Sequence, residues 1–309
     1  MSHAPDAAPA LEDLSLGATT VLFGKDRGKY PQGNSLLVQG RHETALIDPS
    51  LGVLPRAGRL PPVDRVVNSH CHEDHVAGNH LFPDVPWHLH EADLPGMRSL
   101  DDFMAIYGFD DPAVERAFRP VVTEQFHYVP RPDALPFRDG DVFELGGGVR
   151  IRVVHTPGHT RGHSALHVEP DDVLYLGDID LSSFGPYYGD AWSDLEDFER
   201  SLARVADFPA RHYATFHHVG VVDRDTFRAR LARFRDVIRD REARLLAFLT
   251  EPRSLDDVAR HRFVYRPGDA VLFAEPVERR SMGQHLTRLV RDGRVRELER
   301  GRFQADVIG

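Results

Sequence analysis

The chain has 309 residues, 38 Lys+Arg against 48 Asp+Glu, with 41% hydrophobic and 28% charged residues, as expected of a globular protein with one large domain or a large and a small one. Its single cysteine, Cys71, excludes an intrachain disulfide framework and a four-thiolate metal site. No run of roughly 18 apolar residues is present, so no membrane partner is expected, and the default location is cytoplasmic.

The lead, residues 1–17, is Ala/Pro-rich at its start, lacks a basic-then-apolar signal pattern and is expected to be disordered. Short apolar strands are predicted over 20–23, 35–39, 44–48, 63–68 and 87–90. Residues 91–130 break this rhythm with two short helices, over 101–107 and 112–118, and read as an insertion. Strands resume over 141–145 and 149–155, around Gly146–Gly148, and over 166–168 and 173–176. An amphipathic helix follows over 194–207, with Leu195, Phe198, Leu202 and Val205 on one face. A strand over 212–216 precedes a long Arg-rich helical region, 224–249. The tail then orders as helix 242–249, helix 255–260, helix 282–291 and strands 295–299 and 303–307, the order of a winged-helix module.

Charge divides the chain at the same place. Residues 1–222 carry 18 basic and 33 acidic side chains, net −15; residues 223–309 carry 20 and 15, net +5. The acidic body argues against broad nucleic-acid binding by that region. Only two lysines occur, Lys25 and Lys29, which composition bias alone would explain.

Histidine is the anomaly, at 18 residues, and four clusters at strand ends account for its chemistry. His70-Cys71-His72-Glu73-Asp74-His75 follows the 63–68 strand; alternate positions in an extended segment let His70 and His72 converge. Thr156-Pro157-Gly158-His159-Thr160-Arg161-Gly162-His163-Ser164 follows the 149–155 strand. Leu176-Gly177-Asp178 and Phe216-His217-His218 close two more strands. Imidazole and carboxylate donors from several strand ends make a preorganised metal site that suits Zn, Fe or Mn. Cys71, between two donors, would point away from them and is read as packing.

These motifs together resemble the metallo-beta-lactamase superfamily, most closely its hydroxyacylglutathione hydrolase type, over residues 18–222. The resemblance implies an α+β, four-layer αββα sandwich with two divalent metals, zinc first, between its sheets. It implies His70, His72 and His159 at one metal, Asp74, His75 and a late His at the other, and Asp178 bridging. Both His217 and His218 are available as the late ligand, and His217 is preferred. His163 and Ser164 would orient loops and ligands from behind. The basic residues with which such thioester hydrolases bind glutathione carboxylates are not evident here. The tail, 223–309, resembles the C-terminal module of members related to single-strand endoribonucleases.

The expected function is therefore metal-dependent hydrolysis of a small ester, thioester or lactone. Two cations about 3.5 Å apart lower the pKa of a shared water to give a bridging hydroxide, which Asp74 orients. The alternatives are a single-strand endoribonuclease or other phosphodiesterase, and a non-catalytic metal-containing regulatory binder. A small-molecule substrate is the expected partner, with nucleic acid less favoured and a homodimer left open. Aromatics of the insertion, such as Phe103 and Tyr107, and Tyr187, Tyr188 and Trp192 near Asp178, either line a cleft or pack the insertion onto the body.

Overall fold

Period-two alternation builds both central sheets and decides which face of each is inside. The structure is a computed structural model that describes residues 12–269, 271 and 273–306. The first sheet runs in chain order: β1 (Leu14–Leu16), β2 (Thr19–Leu22), β3 (Ser35–Gln39), β4 (Thr44–Ile47), β5 (Arg65–Val67), β6 (Trp87–His90) and β7 (Leu135–Phe137). The second comprises β8 (Val142–Gly146), β9 (Val149–His155), β10 (Ser164–Glu169), β11 (Val173–Tyr175), β12 (His212–Ala214) and β13 (Val221–Asp223), in spatial order β13-β12-β11-β10-β9-β8.

Leu36, Val38, Ala45, Ile47 and Val67 face Ile151, Val153, Leu166, Val168 and Val173 in one core between the sheets. The intervening residues Leu37 and Leu46 face outward, under the 3-10 segment Leu51–Arg59 with Val53. On the far side of the second sheet, Ala165 and Leu174 pack beneath α4 (Leu195–Asp207) and the first half of α5 (Arg224–Phe248), through Phe198, Leu202, Phe227 and Leu231. The insertion supplies α1 (Leu94–Arg98), α2 (Leu100–Tyr107) and α3 (Pro112–Pro120), which cover Val66, Trp87 and Leu89 of the first sheet. Helices thus flank two stacked sheets, giving the expected four layers.

A smaller core joins Leu245 and Leu249 to Val258 of α6 (Leu255–His261), Met282, Leu286 and Leu289 of α7 (Ala274–Arg291), and Val295. It is closed by a three-stranded sheet, β14 (Arg253–Ser254), β15 (Val295–Leu298) and β16 (Arg302–Ala305), in order β14-β16-β15. The first tail helix, expected over 242–249, is the end of the 25-residue α5, which runs from the body core into the tail core. The expected tail boundary at 223 therefore falls at the start of a helix shared by both.

Two expectations are corrected. The disordered lead over 1–17 is contradicted at Leu14–Leu16, which pairs with β2 because Leu16 packs against the inter-sheet core; residues 1–11 lie outside the described residues, as does Val307 at the end of the last predicted strand. Strand β7 was not predicted because Pro136 interrupts it, and it is tolerated because β7 is the sheet's edge strand. Among the described residues, no helix is long and apolar enough to cross a membrane.

Candidate metal centre

The four predicted clusters meet at one end of the two sheets. The turn after β5 carries His70, His72, Asp74 and His75; the turn after β9 carries His159; Asp178 follows β11; His217 follows β12. Six of these seven are buried, and the Asp178 side chain retains 16% exposure, enough to face a substrate. His70, His72, His159 and Asp178 each place one donor atom within 4.8 Å of the others, and Asp74, His75 and His217 do the same.

The two donor groups share Asp178. Its Oδ2 lies 3.2 Å from His159 Nε2, and its Oδ1 lies 2.9 Å from His75 Nε2 and 3.9 Å from His217 Nε2. His217 Nε2 is also 3.0 Å from Asp74 Oδ2. In the first group His70 Nε2 and His159 Nε2 each come within 3.0 Å of His72 Nδ1. His72 thus offers Nδ1 where its companions offer Nε2, which lets two imidazoles two residues apart converge on one point. His218 is exposed, in a left-handed conformation at φ 59°, and is not brought to the cluster.

Each imidazole is oriented from its other nitrogen. His75 Nδ1 meets Asp48 Oδ2 at 2.8 Å, His70 Nδ1 meets Ser69 Oγ at 3.0 Å, His159 Nδ1 meets the Tyr187 carbonyl at 2.9 Å, and His217 Nδ1 meets the Gly28 carbonyl at 2.6 Å. His72 Nε2 is 3.1 Å from Asp190 Oδ2, off the axis a good hydrogen bond needs. His163 faces away from the donors: its Nε2 accepts the Asp178 amide at 3.1 Å and its Nδ1 lies against Thr156. That approach requires Gly177, whose φ is +52° and whose added Cβ would lie 2.6 Å from His163 Nε2. Ser164 donates its amide to the Ser69 carbonyl at 2.9 Å, tying two donor loops together.

The electrostatics fit cations. Burial alone would raise the Asp178 carboxyl, but His75, His217 and His159 hold it well below the usual carboxylate range. Burial would lower His72 and His217, yet Asp190 pushes the first up to about 9, and Asp178 with Asp74 does the same for the second. His70 is held well below its ordinary value by burial, then by His75, His159 and His72. Imidazoles and carboxylates locked against one another are the donor set that divalent metals take over as protons leave. The residues therefore fit two metal ions.

Several neighbours were missed, Asp48 and Asp93 outside the motifs and Glu73 within one. Asp48, fully buried, accepts from the Ser69 amide at 2.6 Å, Ser69 Oγ at 2.5 Å and Tyr175 Oη at 2.8 Å as well as facing His75. Asp93 accepts from Thr160 Oγ1 at 2.5 Å and the Gly162 amide at 2.6 Å, bracing the His159 loop. Glu73 accepts from Tyr30 Oη at 2.9 Å and from Tyr107 Oη. Most insertion aromatics do pack, Phe103 and Phe118 among them, but Tyr107 also stacks on His72 at 5.4 Å. Tyr187 donates to Asp190 Oδ1 at 3.0 Å, whereas Tyr188 is buried in the core outside the second sheet. Cys71 is buried in the core beneath the insertion, as its position between donors suggested.

Comparison with known proteins follows the same lines. A family model described as the metallo-beta-lactamase superfamily matches residues 29–219. The acyl-coenzyme A thioesterase MBLAC2 of Gallus gallus is 32% identical over 204 residues, covering 59% of this chain and 70% of that protein. A metallo-beta-lactamase family protein from Thermus thermophilus superposes with a TM-score of 0.69 at 26% identity, covering 94% of this chain and 99% of the other. A beta-lactamase domain protein from Burkholderia ambifaria has the same fold, with a TM-score of 0.72 at 20% identity over 98% of this chain and 97% of the other.

Proposed function

The chain belongs to the metallo-beta-lactamase superfamily, and from that premise we propose that this metal-dependent hydrolase acts on small thioesters, acyl-coenzyme A esters foremost. The observation that carries the substrate class is the similarity to an acyl-coenzyme A thioesterase across more than two thirds of that protein. In this reading His70, His72 and His159 would hold one metal, Asp74, His75 and His217 the other, and Asp178, whose two oxygens lie 3.2 Å from His159 and 2.9 Å from His75, would be shared by both. Zinc is the first choice for this nitrogen and oxygen set, with Fe or Mn as alternatives.

Two bound metals supply an activated water and stabilise the developing oxyanion. The chain's own groups do the rest. Asp74, 3.0 Å from His217 and 3.9 Å from His75, is placed to orient the attacking water and take a proton from it. Cys71 is buried, with its thiol pushed up by burial and then by Asp93, so it offers no thiolate nucleophile. The buried histidines and the Glu73–Tyr107 pair close the floor of the site against bulk water.

Part of the tail's basic charge is paired with the body itself. Arg288 pairs with Glu199 of α4 at 2.7 Å, Arg291 pairs with Glu196 at 2.5 Å, and Arg280 donates to the Tyr107 carbonyl at 2.8 Å. Those guanidiniums dock the tail onto the acidic body. Metal analysis with a panel of acyl-coenzyme A, acyl-glutathione, lactone, aryl phosphodiester and short RNA substrates tests the proposal. The expected result is two metals per chain and fastest turnover of a coenzyme A thioester. Cleavage of RNA without thioester hydrolysis would overturn it, as would two bound metals with no hydrolysis of any substrate.

A further inference from the structure

Between β2 and β3 the chain reads Lys25-Asp26-Arg27-Gly28-Lys29-Tyr30, and this loop contains both lysines of the protein. Lys25, Arg27 and Lys29 are all exposed. Among the described residues none of the three stands within 4.0 Å of a carboxylate, in contrast to Arg56, Arg65, Arg288 and Arg291. Asp26 is the loop's own acid, and Glu73, which the loop's Tyr30 reaches, is occupied by Tyr30 and Tyr107. A loop with three cations and one acid thus sits on a body of net charge −15.

The loop is attached to the metal centre at two points. Gly28 accepts from His217 Nδ1 at 2.6 Å, and Tyr30 donates to Glu73, which lies between the donors His72 and Asp74. Its backbone is held in an unfavourable form: Asp26 (φ 53°, ψ 39°), Arg27 (φ 59°, ψ 38°) and Gly28 (φ 73°) are left-handed in succession, which residues bearing Cβ rarely sustain. Buried Asn34 imposes it, accepting from the Gly24 amide at 3.1 Å and donating to the Arg27 carbonyl at 3.1 Å and the Thr215 carbonyl at 3.2 Å. A constrained loop that carries unpaired cations and touches a catalytic ligand is built to recognise something anionic beside the reacting bond.

We propose that the 25–30 loop binds the phosphates of the thiol leaving group, with Lys25, Arg27 and Lys29 as the contacts. The proposal rests on the thioesterase reading, which places the thioester carbon at the centre and leaves the phosphorylated arm of coenzyme A to run outward. The body's net negative charge disfavours a polyanion on average, so a local cationic loop beside the centre would draw that arm toward itself. Ammonium and guanidinium groups pair with phosphate through charge-assisted hydrogen bonds, and exposed pairs of this kind weaken with salt.

The test is a Lys25→Ala/Arg27→Ala/Lys29→Ala variant, which leaves Asn34 and the Gly28 contact in place. Hydrolysis of one acyl group is compared on coenzyme A, on pantetheine, which lacks the nucleotide and its phosphates, and on glutathione. The expected result is a KM for the coenzyme A ester raised about tenfold with kcat nearly unchanged, and no change on pantetheine. Salt should raise KM in the wild type and not in the variant. Arg41→Ala, at an exposed guanidinium on the β3–β4 turn, is the control and should change neither. Equal effects on both esters, no effect on either, or an effect that follows Arg41 would each overturn the proposal. A loop-dependent KM on glutathione with none on coenzyme A would place carboxylates there and overturn it too. Calorimetric binding of free coenzyme A against free pantetheine separates the two claims. If no thioester is cut but coenzyme A still binds through the loop, the thioesterase reading fails and the loop assignment stands. If coenzyme A binds no better than pantetheine, the loop assignment fails whatever is hydrolysed.

Discussion

Asp178 at the metal centre and Glu278 in the tail are two acidic groups whose surroundings differ in kind. Asp178 is ringed by side chains: His75 at 2.9 Å, His159 at 3.2 Å and His217 at 3.9 Å. Glu278, on α7 and fully buried, is ringed by main chain: its Oε2 accepts the Phe263 amide at 2.8 Å, and its Oε1 accepts the amides of Val264 at 2.9 Å and Tyr265 at 2.7 Å. Imidazoles can exchange protons for metal ions, so the first arrangement stays open to chemistry. Backbone amides have no such freedom, so the second is a structural clasp. What it clasps matters, because Tyr265 lies beside Tyr187 and Asp190, at the edge of the metal centre. The tail therefore contributes to the wall of the site that the body assembles.

The contrast breaks most sharply at Asp178. Asp178→Ala should lose bound metal and reduce activity by roughly 10⁴-fold or more, with the fold retained by circular dichroism; full retention of both metals by elemental analysis would remove Asp178 from between them. The late ligand comes next. His217→Ala is expected to reduce activity by more than about 100-fold, beyond the range for groups that only orient a ligand, whereas His218→Ala should stay close to wild type in the same assay. Equal losses would mean that the exposed imidazole moves inward in solution.

Glu278→Ala probes the other arm of the comparison. It strands the buried Phe263 amide and the half-buried Val264 and Tyr265 amides; a buried amide left without an acceptor costs about 1–3 kcal/mol and half-buried ones less, so unfolding in urea should show a loss of about 2–3 kcal/mol with metal content unchanged. Glu278→Gln keeps one carbonyl oxygen and should fall between. A metal loss in either variant would show that the clasp and the centre are one unit. Asp48→Ala sharpens the comparison from within the centre, since Asp48 touches His75 and no other donor ring. It should weaken metal binding about 10–100-fold in a chelator competition, and because it also strands the Ser69 amide and the Ser69 and Tyr175 hydroxyls it should lower stability by about 2 kcal/mol or more in urea.

The donor residues were legible because each is a side chain of distinctive type at the end of an apolar strand. The four clusters that hold His70, His72, Asp74, His75, His159, Asp178 and the His217-His218 pair announce themselves by residue type, their roles follow from the family resemblance, and the alternation through Leu36, Val38, Ala45 and Ile47 announces the sheets that carry them. The supports were not legible. Asp48, Asp93 and Glu278 act on amides, hydroxyls and ring nitrogens brought from 13 to 127 residues away, and a backbone amide has no residue type to recognise. Lys25 and Lys29 were visible as a compositional oddity, but only the contact of Gly28 with His217 gives their loop a place. The sequence alone thus determined the chemistry of the centre and the layers around it. Tertiary structure decided which acids serve as ligands and which as braces, because burial and partner geometry, which no local pattern encodes, set what a carboxylate can do.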